Sequence, residues 1–276
     1  MNDWSLSETY HSTAGEVRWN RLGNGPEAVV LLHGTPFSSF VWRGVARSFA
    51  PHFSVYVWDM PGYGVSEKRA GQDVSLDAQG LVFTELLTHW GLTDPHVVAH
   101  DFGGAVALRA SLLHGAPYRR LALVDPVALA PWGSPFFRLV GANTSVFEQL
   151  PPAMHAALVR EYVRSASHPG LAPDVAEQLV APWLGEVGQP AFYRQIAQAD
   201  QRYTDELDAR FGDLRPPTLV CWGAEDRWIP VERGHELVGR LPKAELTVIP
   251  GAGHLVQEDA PAELAATLFA FLKGLS

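Results

Sequence analysis

The sequence is short of cysteine, of basic clusters and of long apolar runs, and each shortage removes a class of protein. The single cysteine, Cys221, rules out any intramolecular disulfide and is compatible with a reducing compartment. It sits in the apolar run 218–222 and reads as a buried core thiol. Lysine and arginine number 21 against 30 aspartates and glutamates, a formal net charge of -9, with no basic run anywhere. Nucleic acids and anionic membranes need clustered cations, so neither partner is expected. No uninterrupted apolar stretch reaches the ~18 residues needed to cross a bilayer. The N-terminal MNDWSLSETYHST has no basic segment followed by an apolar one. No signal peptide is therefore expected, and a soluble cytoplasmic protein, monomer or homodimer, is. Metal-ligand spacing is missing too, and Gly62 and Gly64 make a G-x-G without its third glycine. No metal and no nucleotide cofactor are expected.

What is present is apolar material for a large core: 47% of the 276 residues are hydrophobic and 18% charged. β-branched runs predict strands at 16–21, 28–33, 53–58, 96–99, 120–124, 218–223 and 245–249. Several are continuously apolar (AVVLLH, LALVD, TLVCWG), the pattern of parallel strands covered on both faces. Helical patterns at 76–90, 104–113, 231–241 and 260–272 alternate with them, giving an α/β domain. The stretch 126–215 breaks the rhythm: its patterns at 152–165, 173–184 and 189–201 are helical and no strand is convincing. Residues 1–125 and 216–276 then form one core domain, and 126–215 a helical lid over the carboxyl edge of the sheet, where open α/β sheets bind ligands.

The strand at 96–99 runs into His100–Asp101–Phe102–Gly103–Gly104 and then a helix. A residue on so sharp a strand-to-helix turn is pushed above the sheet, beside the backbone N–H groups of the helix N-terminus. Asp101 there is either a nucleophile or an ordinary helix cap. Strand 28–32 delivers His33–Gly34–Thr35–Pro36, so the N–H groups of Thr35 and Phe102 can pair as an oxyanion hole. DMPGYG follows strand 53–58, AEDRWIP follows strand 218–223, and PGAGH, ending in His254, follows strand 245–249.

Together HGTP, DMPGYG, the elbow, GAEDRWIP and GAGH resemble the α/β-hydrolase superfamily over nearly the whole chain. Within it, HD-x-GG with HG-x-P upstream resembles the branch with an Asp nucleophile: epoxide hydrolases and haloalkane or haloacetate dehalogenases. The resemblance implies an α/β-hydrolase fold with a mostly parallel eight-stranded sheet and a lid inserted after the sixth strand. It implies Asp101 as nucleophile, His254 as base and an acid that orients the imidazole. Asp226 is the preferred acid, and Asp125, at the end of LALVD, is its rival. A carboxylate displaces a leaving group from sp³ carbon to give an alkyl–enzyme ester, and a His-activated water then hydrolyses that ester.

The leaving group is less constrained. The dehalogenases' donor after the nucleophile is replaced by Phe102, and Thr35 stands in the HG-x-P turn, so only Trp132 or Trp183 remain as halide donors. Epoxide opening needs an acid, and Ala191–Phe192–Tyr193–Arg194 resembles a lid-tyrosine motif. Tyr193 is the first candidate, followed by Tyr162, then Tyr203 or His155. His33 and His100 are taken as loop-organising residues. Trp42, Trp58, Trp132 and Trp183 suggest an apolar pocket for a small, neutral substrate. Epoxide hydrolysis is the expected reaction, dehalogenation the alternative, and a non-hydrolytic ligand-binding or lyase-like protein the reading from another class.

Overall fold

The computed structural model describes residues 4–275, so the first three residues of the N-terminal stretch considered above lie outside it. One eight-stranded sheet forms the frame, in the order β1-β2-β4-β3-β5-β6-β7-β8. Its strands are β1 (Glu8–Ser12), β2 (Gly15–Leu22), β3 (Ala28–Leu32), β4 (Ser54–Trp58), β5 (His96–His100), β6 (Arg120–Val124), β7 (Thr218–Gly223) and β8 (Ala244–Ile249). From β4 through β8 all neighbours are parallel, and the β1–β2 and β2–β4 pairs are antiparallel. The continuously apolar runs are the central strands, buried from end to end apart from their first residues in β3 and β6. Cys221 is fully buried within β7.

Chain order reverses at β3, which is paired with β4 on one side and β5 on the other. At such a switch point the two carboxyl ends open onto one crevice. The Leu32–Ala99 pairing therefore brings the His33–Pro36 turn and the His100–Asp101 turn side by side. Eight helical segments separate β6 from β7, from Pro135–Ala142 to Phe211–Asp213. They reach down onto this crevice. Trp183 Nε1 donates to Pro36 O at 2.5 Å, and Thr35 Oγ1 donates to Gln195 Oε1 at 2.7 Å. Among the described residues no helix is long and apolar enough to cross a membrane.

Candidate active site

Asp101 has φ 51° and ψ -120°. It and Asp125 (φ 42°) are the two non-glycine residues with positive φ among those described. Backbone in that region is strained for a side chain with a Cβ, and such strain concentrates at working sites. The turn survives because its neighbours are glycine. A Cβ on Gly34 would sit 2.3 Å from Asp101 Cβ, and one on Gly103 2.5 Å from His33 O. Although Asp101 occupies the cap position of the helix Phe102–Leu112, its side chain makes no capping hydrogen bond. Its carboxylate turns away from the helix. Oδ1 accepts the Thr35 N–H at 2.7 Å, and Oδ2 lies 3.4 Å from His254 Nε2. The N–H of Phe102, first residue of the helix, has no intrahelical carbonyl to bond and lies on the same turn.

His254 and Asp226 complete the line. His254 Nδ1 donates to Asp226 Oδ2 at 2.8 Å, and because the carboxylate can only accept, the Nδ1 proton is fixed. Nε2 has no hydrogen-bond partner and faces Asp101. Asp226 is itself held by the N–H groups of Trp228 and Ile229 at 2.7 and 2.9 Å. Burial pulls the His254 pKa down, but the charges of Asp226 and Asp101 outweigh it and hold the imidazole well above its ordinary value. In the rival acid, Asp125, Oδ1 accepts the Gly223 N–H at 2.9 Å. Burial, and then the charge of Asp226, push its carboxyl far above the usual range, and its Oδ2 has no hydrogen-bond partner. The structure puts Asp226, not Asp125, on the imidazole. Atoms of Asp125, Asp226 and His254 do lie within 4.8 Å of one another, as metal ligands would. The His254 and Asp226 atoms are already bonded to each other.

His33 and His100 brace loops. His33 Nδ1 donates to Gly34 O at 3.0 Å while Nε2 accepts the Met60 N–H at 2.9 Å. His100 Nε2 donates to the carbonyl of His254 at 2.9 Å, and burial brings its pKa to about 3.

Beside Asp101 lies a narrow cavity bounded by Thr35, Phe102, Trp132, Phe137, Tyr162 and Trp228. Three expectations need correction here. Of the four tryptophans expected around the pocket, Trp132 alone borders it. Trp42 and Trp58 are core residues, one bonded to Leu32 O and the other stacked on Phe83. Neither proposed halide donor is free: Trp132 Nε1 donates to Thr204 Oγ1 at 2.9 Å and Trp183 Nε1 to Pro36 O. The lid tyrosine ranked first faces elsewhere. Tyr193 meets His155, whose Nε2 donates to Trp183 O, leaving Nδ1 to accept the Tyr193 O–H at 2.8 Å. Tyr162 is the lid tyrosine on the cavity. Its ring stacks on Trp228 at 4.4 Å, and burial and the charge of Asp101 raise its pKa. Tyr203 lies off the site, its carbonyl bonded to Arg109.

Sequence reasoning missed Trp228, Tyr63 and Gln195 as site residues. Trp228 stacks on His254 with ring centroids 4.9 Å apart, and its place two residues after the acid was the available signal. Gln195 continues the buried stripe Gly188, Ala191, Phe192, Ile196 of the helix Gly185–Ala197. A polar residue on an apolar stripe needs a partner, and that periodicity was readable.

The alpha/beta hydrolase family model matches residues 29–267. A crystal structure of an alpha/beta hydrolase fold protein from Burkholderia ambifaria shares 45% identity, covers 96% of this chain and 97% of its own, and superposes with a TM-score of 0.93. Haloalkane dehalogenase 2 of Mycobacterium tuberculosis is 26% identical over 274 residues, 95% of this chain and 93% of that protein. The 2-hydroxy-6-oxononadienedioate/2-hydroxy-6-oxononatrienedioate hydrolase of Cupriavidus pinatubonensis is 25% identical over 257 residues, 89% of this chain and 86% of that protein.

Proposed function

The chain belongs to the alpha/beta hydrolase family, and from that premise we propose that it hydrolyses epoxides through an alkyl ester on Asp101. The observation that carries the reading is the orientation of one carboxylate. Asp101 declines the helix cap, seats Oδ1 on an oxyanion donor and leaves Oδ2 at the cavity beside His254.

In the first step Oδ2 attacks one ring carbon of the epoxide in line, and the carbon–oxygen bond on the far side breaks. The Tyr162 hydroxyl gives its proton to the departing alkoxide. Burial and Asp101 raise the Tyr162 pKa, yet an alkoxide is a much stronger base than a phenolate, so the transfer runs downhill. Ester formation also removes the Asp101 charge that helps hold the proton on His254. The imidazole can then return a proton to the phenolate and become the base the second step requires. Neutral His254 takes a proton from water, and the hydroxide adds to the ester carbonyl carbon. Negative charge gathers on Oδ1, between the N–H groups of Thr35 and Phe102. Collapse expels the alcohol, which receives the proton from His254, and the acid proton left on the re-formed Asp101 carboxyl passes to the imidazole. Epoxide and water have become a diol, and Asp101 is restored.

Dehalogenation is the second reading, favoured by the Mycobacterium tuberculosis relative. The geometry supports it less, because the indole N–H groups of Trp132, Trp183 and Trp228 already donate to Thr204, Pro36 and Ser165. The test is a pair of tyrosine substitutions assayed on epoxides and haloalkanes. Tyr162→Phe should slow epoxide opening by about 10²-fold, the usual contribution of a positioned acid, and Tyr193→Phe by less than about threefold. Equal sensitivity of haloalkane turnover to Tyr162→Phe, or loss through Tyr193 instead, counts against the assignment.

A further inference from the structure

Thr35 is held twice. Its backbone N–H donates to Asp101 Oδ1 at 2.7 Å, and its hydroxyl donates to Gln195 Oε1, also at 2.7 Å. The same Gln195 oxygen accepts the Tyr63 hydroxyl at 3.1 Å. Gln195 belongs to the inserted helices, Thr35 to the turn after β3, and Tyr63 to the DMPGYG turn after β4. One carboxamide, 1% exposed, therefore ties the lid to both turns beside the nucleophile.

The neighbouring contacts load the same point. Pro36, next to Thr35, accepts the Trp183 indole N–H from the lid. One turn beyond Gln195, Gln198 accepts the Val74 N–H at 2.7 Å and donates to Gln72 O at 3.0 Å. The helix Gly185–Ala197 and its C-terminal residue are thus stitched to the core along the face that carries Gln195. The Thr35 hydroxyl has Gln195 as its acceptor, and Gln195 Nε2 is left without a partner. An amide buried with one end unpaired is costly in a purely structural role, which points to work done by the other end.

We propose that Gln195 is a positioning residue that holds the Thr35 N–H on Asp101 Oδ1, so that the oxyanion donor is set only while the lid is seated. The inference rests on the alkyl-ester reading and adds a residue to it. Its consequence is unequal across the two steps. During attack the negative charge leaves Asp101, and a misplaced donor at Oδ1 matters little. During hydrolysis the charge returns to Oδ1, and the donor must be in place.

The test is single-turnover rapid quench on the full-length protein with a panel of terminal epoxides and haloalkanes, following the ester on the Asp101 peptide by mass. The parent, Gln195→Leu, Thr35→Val and the double variant are compared, with Gln195→Met as the substitute should the leucine variant fold poorly. Thr35→Val keeps the N–H and removes only the hydroxyl. Each single substitution should slow ester breakdown about tenfold more than ester formation, a fraction of the 10²–10³ lost when an oxyanion donor is removed outright. Ester should accumulate, and the double variant should be no slower than the slower single, because both break one link. Equal slowing of both steps, or effects that multiply in the double variant, overturns the proposal. Absence of any ester, even in His254→Gln, overturns the underlying mechanism and the proposal with it.

Discussion

Two buried aspartates, 125 and 226, stand beside one histidine, and environment alone separates their roles. Asp226 has two backbone donors and the imidazole. Asp125 has one backbone donor, while its Oδ2 meets none and its neighbour is already negative. Its folded pKa lies above the unfolded value, so the stability it contributes is fully present below the unfolded pKa and is lost as pH rises toward the folded one. Asp125→Asn removes that titration while keeping an acceptor for the Gly223 N–H. The melting temperature of the variant relative to the parent should therefore become more favourable by about 3 °C or more between pH 5 and pH 8. A difference that stays constant with pH, measured calorimetrically, would show that Asp125 is ionised throughout. The same scale explains the tyrosines. Tyr193 and Tyr162 both sit on lid helices, but the proton of one is committed to His155 and that of the other lies over Asp101's cavity.

At the scale of elements, the elbow works because glycine lies where two turns meet. Gly34→Ala would place a methyl 2.3 Å from Asp101 Cβ, closer than any contact can hold, so the nucleophile must move. Overpacking of this kind costs about 1–3 kcal/mol, and a displacement near 1 Å costs about 10²-fold in rate. The expected result is a lower melting temperature together with at least that loss of turnover; wild-type turnover would mean the turn is not held against Asp101. Most strands were legible because their runs were apolar and uninterrupted: β6 and β7 run over the residues read from the sequence, and the other predicted strands shift by one residue at their ends, whereas the helix read at 189–201 runs over Gly185–Ala197. β1 was not legible. ETYHS is a mostly exposed edge strand with one half-buried tyrosine and one half-buried serine at best, and carries no alternation to read. The elbow helix begins at Phe102, two residues before the predicted start, since Gly103 and Gly104 look like loop in sequence while serving as close-packing positions in the helix. Asp101, Asp226 and His254, which the structure brings together, were readable from motifs after strands. Which tyrosine faces them was not, because that depends on how the lid helices are rotated on the sheet.

For the whole molecule, the acidic charge and the narrow aromatic cavity suit a small uncharged substrate, and the inserted helices do more than cover it. They supply Tyr162 to the cavity, Trp183 to Pro36 and Gln195 to Thr35, so lid and nucleophile form one mechanical unit across the crevice at the sheet's switch point. All of this depends on Asp101 acting as a covalent nucleophile. The most direct measurement replaces His254 with Gln, which removes the base of the second step while leaving attack possible. After incubation with epoxides and haloalkanes, peptide mass spectrometry should find a substrate-sized increment on the peptide containing Asp101. A folded His254→Gln protein whose Asp101 peptide stays unmodified with every compound would contradict the account.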